Sequence, residues 1–123
     1  MENVKKKIES HRDLLVWQKS MDLVEAIYRI TQKLPSHEQF GLISQLRRAA
    51  VSIPSNIAEG YGRQSSGSYR QFLSVSRGSL LEVETQIEIC VRLGYLTEED
   101  TSGVLAGITE LGKMLTSLIS KIK

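Results

Sequence analysis

Residues 46–63 read Leu-Arg-Arg-Ala-Ala-Val-Ser-Ile-Pro-Ser-Asn-Ile-Ala-Glu-Gly-Tyr-Gly-Arg, and this stretch decides the fold of the chain. Its apolar residues recur with helical spacing, yet Pro54 stands in the middle and Arg47 and Arg48 stand side by side. Proline cannot donate a backbone hydrogen bond and its ring crowds the preceding turn, so the stretch predicts a helix kinked at Pro54. It contains no nucleophile–base pair and no metal-ligand cluster, and therefore indicates architecture more clearly than chemistry.

The same 3.6-residue period continues on both sides of this stretch, and no segment alternates apolar and polar residues long enough to indicate a sheet. The period predicts helices over about residues 14–33, 38–62, 68–93 and 98–122. Four helices joined by short connectors predict an all-α fold, an antiparallel up-down-up-down four-helix bundle. We expect residues 1–10 to form a flexible polar leader and residues 11–123 to form the bundle.

Capping residues and apolar faces refine this prediction. Helix 1 carries two neighbouring apolar stripes that cover about half of its circumference, so we expect it to pack on two partners. The expected inward residues of helix 2 are Phe40, Ile43, Leu46, Ala50, Ile53 and Ile57. The expected caps are Asp13 for helix 1, Ser36 with Gln39 for helix 2, Gly94 as the stop of helix 3, and Thr97 with Asp100 for helix 4.

The composition is that of one ordinary globular domain: 123 residues, 41% hydrophobic and 24% charged. No apolar run reaches the roughly 18 residues that a membrane span needs, and no apolar segment typical of a secretory signal follows the N-terminus. The single cysteine, Cys90, lies on an apolar helix face, which predicts a small buried hydrophobe and favours a reducing cytoplasm.

Enzyme chemistry has little support in the sequence. His11 and His37 lack further ligands at metal-binding spacing. Glu84 and Glu88 are typical of a solvated helix face, and the serines lack a nucleophile elbow or a histidine partner. We therefore expect no catalytic residue, no metal, no cofactor and no small-molecule substrate.

The distribution of charge is the clearest functional signal. The net charge is +2, but residues 44–80 carry +4 and residues 81–123 carry −3. The basic residues of the middle stretch are all arginines, whose guanidinium groups fork onto phosphates and stack on bases. The predicted nucleic-acid contacts are Arg63 and Arg70 at the tip of the helix 2–helix 3 hairpin, Arg48 and Arg77 on its arms, and Tyr61 and Tyr69 as stacking residues. Lys5, Lys6 and Lys7 would add a basic arm.

A second interpretation of the same residues stays open. The arginines would pair with acidic residues of helix 4 or of a neighbouring subunit, and the tyrosines would belong to the core.

The run from Arg48 to Gly60, Arg-x-x-x-Ser-Ile-Pro-x-Asn-Ile-Ala-Glu-Gly, resembles the signature of the four-helix-bundle proteins encoded in intervening sequences of bacterial 23S rRNA genes. Residues 15–23 are similar to the opening helix of that family, and residues 69–73 and 77–85 are similar to its third helix. The resemblance implies a ring-shaped homopentamer. A related branch, the accessory protein of diversity-generating retroelements, binds nucleic acid and a reverse transcriptase through a basic surface.

Two functional hypotheses follow from the residues and the resemblance together. The first is a cytoplasmic, non-enzymatic homo-oligomer that binds RNA or a ribonucleoprotein, including a reverse transcriptase, through its arginine-bearing surface. Symmetry would multiply the modest charge of each subunit into a larger basic patch. The alternative is a protein-interaction scaffold that binds no nucleic acid.

Overall fold

The computed structural model describes residues 7–123, and within that range the chain is all-α and contains no strand. Four long helices form: α1 (Leu15–Thr31), α2 (Leu42–Tyr61), α3 (Ser66–Arg92) and α4 (Glu98–Lys121). Short 3-10 turns at His11–Asp13 and Ser36–Glu38 precede α1 and α2. The predicted fold class is confirmed, and most helix ends agree with prediction to within about two residues, the start of α2 being the exception.

The helices pack in a closed cycle. Helix α2 contacts α1 and α3, and α4 contacts α3 and α1, so α1 packs on two partners as its wide apolar face predicted. The core is aliphatic, and the fully buried large side chains include Ile27, Leu46, Ile53, Ile57, Leu73, Leu80, Ile87, Leu111 and Leu115. This arrangement is that of a four-helix bundle, while the up-down-up-down order and the kink at Pro54 stay predictions.

Two predicted helix caps are wrong because 3-10 turns intervene. Asp13 does not cap α1: Ser10 caps the first 3-10 turn, and the Asp13 carboxylate accepts from the backbone N–H of Ser10 at 3.3 Å. Ser36 and Gln39 do not cap α2 either. The carboxylate of Glu38 takes that place and accepts from the backbone N–H of Leu42 at 3.0 Å.

The predicted boundary between α3 and α4 is confirmed. Gly94 has a φ of +80°, and its N–H donates to the carbonyl of Val91 while that of Tyr95 donates to the carbonyl of Cys90. Glycine is the residue best suited to this left-handed stop. Thr97 and Asp100 then form the predicted capping box at the start of α4.

Phe40 departs from its predicted position. The spacing of helix 2 assigned it to the core, but its side chain is 95% exposed. The reason is that α2 begins only at Leu42, so the helical period does not extend back to Phe40. A large aromatic ring therefore stands in solvent at the N-terminal end of α2.

Three more sequence-based expectations concern Cys90, membrane-spanning segments and the N-terminal leader. Cys90 is fully buried, as expected, and burial raises the pKa of its thiol to about 11. None of the described helices combines the length and the hydropathy that crossing a membrane requires. Most of the predicted leader, with Lys5 and Lys6, lies outside the described residues.

Candidate nucleic-acid interface

Three of the four predicted contact arginines are held by bonds within their own chain. Arg63 donates to the Glu59 carboxylate at 2.8 Å and its guanidinium lies 4.8 Å from the centre of the Phe72 ring. Arg70 donates to the carbonyl of Ile122 at 2.9 Å. These side chains are positioned by the bundle before any partner arrives.

Arg77 belongs to the same face of α3 as Arg70, because seven residues make almost two complete turns. Its guanidinium lies 3.3 Å from the Thr116 hydroxyl, to which it donates. Arg70 and Arg77 therefore both reach α4, but through a carbonyl and a hydroxyl. Within residues 7–123 neither guanidinium forms an ion pair with an acidic residue of α4, so for these two arginines the helix 4 part of the alternative interpretation is wrong. Pairing with a neighbouring subunit stays a prediction.

The two predicted stacking tyrosines contact each other. Tyr61 and Tyr69 meet edge to face with their ring centres 6.1 Å apart, and Tyr69 also packs against the core. Burial raises the pKa of the Tyr69 hydroxyl, and the neighbouring Tyr61 adds to this shift. Both rings remain partly exposed, but this mutual contact leaves them less free to stack on a base than the sequence indicated.

Arg48 differs from the other three. It is exposed on α2, and no hydrogen bond or ion pair of its guanidinium occurs with any residue in the range 7–123. Its neighbour in sequence, Arg47, is instead anchored to α1. Arg47 donates to the Thr31 hydroxyl at 2.9 Å, and its guanidinium lies 4.4 Å from the centre of the Tyr28 ring.

Arg48 lines a groove on the surface of α1 and α2 with a cavity volume of about 580 Å³, which we call the arginine groove. Its lining combines aromatic, aliphatic and basic side chains and includes no carboxylate. The members that matter here are Tyr28, Phe40, Ile43, Arg47, Arg48 and Val51. A groove that holds both a guanidinium without a partner among residues 7–123 and an almost fully exposed aromatic ring suits a phosphate attached to a planar base.

A second groove, between α2 and α3, adjoins the first and shares Phe40 and Arg48 with it. Its volume is about 420 Å³, and we call it the amide groove because Gln45 and Gln86 lie in it. The sequence did not single out Gln86. The only available signal was its place next to Ile87 on the buried face of α3.

The predicted arginines therefore do not form one surface. Arg48 lies in grooves formed by α1, α2 and α3, whereas Arg77 lines a groove between α3 and α4. The structure brings Arg63 into contact with Phe72, whereas Arg48 and Phe40 line the same two grooves. Arg48 and Phe40 are both exposed and therefore accessible to a partner.

A cluster of titratable residues lies at the same end of α2. The Tyr95 hydroxyl donates to the Glu38 carboxylate at 3.0 Å, and His37 lies 3.3 Å from that hydroxyl. The pKa of Glu38 is lowered, first by the backbone N–H of Leu42 and then by Tyr95, and the pKa of Tyr95 is raised by its bond to Glu38. These contacts join the two connectors and cap α2, and they give the cluster a structural role.

Residues of the 46–63 stretch make the close contact between α2 and α3. The Ser52 hydroxyl lies 2.6 Å from that of Ser79, and Ser76 donates to the carbonyl of Ile53 at 2.9 Å. Gly60 lies so near Phe72 that a methyl group on it would approach the Phe72 Cβ to 2.6 Å. The small and polar residues of this stretch thus let two helices approach closely.

A comparison with known families agrees with the observed bundle. The family model of the 23S rRNA-intervening sequence protein matches residues 12–117. The chain belongs to this family. The match confirms the resemblance carried by the Arg48–Gly60 stretch and extends it well into α4, where the sequence had offered only a pattern.

A solved member of the S23 ribosomal protein family has the same fold. It is a protein of unknown function from Bacteroides thetaiotaomicron, 27% identical in sequence, with a TM-score of 0.79. The similarity covers 85% of this chain and 98% of that one. No protein with a curated description matches. Family membership thus accounts for the bundle, and the function has to be argued from the side chains.

Proposed function

We propose that this 23S rRNA-intervening sequence protein is a non-enzymatic, cytoplasmic RNA-binding bundle whose main contact surface is centred on Arg48. The observation that carries the proposal is the exposed Arg48 guanidinium, which has no partner among residues 7–123 and lines the arginine groove together with Phe40 and without a carboxylate. Guanidinium groups neutralise phosphates, and exposed aromatic rings stack on unpaired bases. Arg63, Arg70 and Arg77 would add to the positive electrostatic potential of the surface and make secondary contacts from their fixed positions.

We further propose that the protein acts as a homo-oligomer, as the resemblance implies for its family. Large aliphatic side chains stand partly in water in the single chain, among them Leu15 of α1, which is 56% exposed, and Leu81 of α3, which is 58% exposed. Neither of these two residues lines the arginine groove or the amide groove. A second copy packed over such residues would remove them from water without covering either groove. Sedimentation velocity tests this part, and a strict monomer at high concentration would contradict it.

RNA binding is tested by titrating a labelled single-stranded RNA at several salt concentrations. Phosphate contacts release counterions, so log affinity should fall linearly with log salt, with a slope of about −0.7 per neutralised phosphate. Absence of binding at low salt, or affinity that does not change with salt, would overturn the proposal. A matched DNA strand of the same sequence serves as the comparison for the contribution of the ribose hydroxyl.

The protein-interaction scaffold stays the second candidate, and one observation favours it. Arg63, Arg70 and Arg77 all bond within their own chain, which lowers the number of guanidinium groups that are free for phosphate. A scaffold would use the exposed Phe40 as an apolar anchor for a protein partner. It predicts an assembly that forms normally and shows no salt-dependent RNA affinity.

A further inference from the structure

The amide groove contains an unpaired polar atom that the bundle itself does not need. Gln86 is 7% exposed, and its amide N–H donates to the Gln45 side-chain oxygen over a long 3.4 Å. Its own oxygen, Oε1, has no hydrogen-bond partner among residues 7–123. Because the amide nitrogen donates to Gln45, the atom left without a partner is the oxygen, which is an acceptor. Buried polar groups are almost always paired, so an orphan in a groove indicates a missing partner.

A second acceptor lies beside it. Glu82 precedes Gln86 by four residues, so the two side chains occupy the same face of α3 one turn apart, and both line the amide groove. Glu82 forms no ion pair with Arg48, although the two line the same groove. The α3 wall of the groove thus presents two hydrogen-bond acceptors, while Phe40 and Arg48 lie on the α2 side.

The arrangement selects among the bases by their hydrogen-bonding edges. Guanine carries two adjacent donors on its Watson–Crick edge, the N1–H and the N2 amino group. Adenine and cytosine place one donor next to an acceptor, and uracil places its single donor between two acceptors. A pair of neighbouring acceptors therefore satisfies both donors of guanine and leaves the other bases with an acceptor facing an acceptor.

We propose that the amide groove binds one unpaired guanine of an RNA strand. Gln86 Oε1 and the Glu82 carboxylate accept from N1–H and N2–H of the base, Phe40 stacks on its ring, and Arg48 binds a flanking phosphate. Because Gln86 is only 7% exposed, its amide has to turn towards the groove for the oxygen to reach the base. This inference rests on the proposed RNA binding and adds to it a base preference and two residues of α3.

The test compares four labelled RNA strands in a fluorescence-anisotropy titration of the full chain. Each strand is oligouridine, and three of them carry one central guanosine, inosine or adenosine. Inosine keeps N1–H but lacks the N2 amino group. A pair of base-edge bonds discriminates by about 5- to 150-fold, so we expect the guanosine strand to bind that much more tightly than the adenosine strand, with inosine between them.

Two variants remove the acceptors one at a time. Gln86→Met keeps the length of the buried side chain, and Glu82→Met removes both carboxylate oxygens from an exposed residue. Either variant should reduce the guanosine preference to less than about threefold, because the remaining acceptor can hold only one donor. Gln71→Met, at an exposed glutamine of α3 outside both grooves, is the matched control and should keep the preference.

The outcomes separate this inference from the proposed function. If all four strands bind equally and with salt dependence, the guanine site is overturned and RNA binding stands. If no strand binds, the proposed function fails and the site with it. If free GMP displaces the guanosine strand when both are at the same concentration, the groove is a pocket for free nucleotides and the assignment to RNA is wrong. A guanosine preference that survives both variants shows that neither Gln86 nor Glu82 binds the base, which also overturns the site.

Discussion

Gly60 offers a sharp test of how α2 and α3 fit together. An alanine Cβ at this position would lie 2.6 Å from the Phe72 Cβ and 3.3 Å from the Tyr69 carbonyl oxygen. Neither atom belongs to the flexible end of a side chain, so the backbones of the two helices would have to separate. Gly78, in the middle of α3, is the matched control because no atom of residues 7–123 lies within 4 Å of the corresponding methyl group.

The two substitutions should change the free energy of unfolding in opposite directions. Forcing an extra methyl group into a packed contact costs about 1–3 kcal/mol, and replacing glycine by alanine in a helix returns at most about 1 kcal/mol. We therefore expect Gly60→Ala to destabilise the protein by about 1–2 kcal/mol. Gly78→Ala has only the favourable contribution and should stabilise it by about 0.5–1 kcal/mol.

Urea unfolding followed by circular dichroism at 222 nm measures both values, with the midpoint moving and the m-value unchanged. For a chain of this size 1 kcal/mol corresponds to about 3–6 °C in Tm, so thermal scans should separate the two variants clearly. If Gly60→Ala is as stable as Gly78→Ala, the close approach of α2 and α3 at this glycine is wrong.

Three further predictions concern single groups. The hydrogen bond from Lys33, with those from Thr97, holds the Asp100 pKa at about 2, below its ordinary 3.8. The stabilisation of the fold by the ionised Asp100 carboxylate is therefore present above about pH 4 and is lost as the pH falls towards 2. In Asp100→Asn the free energy of unfolding should fall less steeply between about pH 4 and pH 2. An unchanged pH dependence would contradict this role of Asp100. Cys90, with its thiol pKa raised to about 11, should resist alkylation at pH 8 until urea unfolds the chain; fast labelling of the native protein would refute its burial. Gln86→Met removes an unpaired buried acceptor and should raise the free energy of unfolding by about 1 kcal/mol, whereas a decrease would indicate a structural role.

The sequence predicted those parts of the fold that depend on local chemistry. Helical periodicity sets the four helices, and Gly94 and the Thr97–Asp100 box mark their boundary residue by residue. The failures lie at the starts of α1 and α2. A 3-10 turn advances the chain differently from an α-helix, so one such turn displaced the predicted cap at Asp13 and another turned Phe40 from the core to the solvent.

The candidate site was predictable only in part, because a side chain's partner is set by tertiary contacts. The sequence selected Arg48 and Arg70 on equal grounds of charge and type. In the structure Arg70 donates to a carbonyl 52 residues away, at Ile122, while Arg48 has no partner in the described chain. The candidate role of Gln86 could not be predicted for the same reason, because nothing in the sequence shows that the oxygen of a glutamine amide is buried without a hydrogen-bond partner.

The central claim is that Arg48 is the principal phosphate contact, and a charge-matched pair of variants tests it most directly. Arg48→Ala and Arg29→Ala each remove one positive charge, but Arg29 is an exposed residue of α1 that pairs with Glu25. In an anisotropy titration with single-stranded RNA, we predict that Arg48→Ala weakens binding about tenfold and makes the salt slope shallower by about 0.7 for each phosphate that is no longer neutralised. Arg29→Ala should bind nearly as the unmodified protein does. Equal affinities and equal slopes for the two variants would contradict a principal role for Arg48.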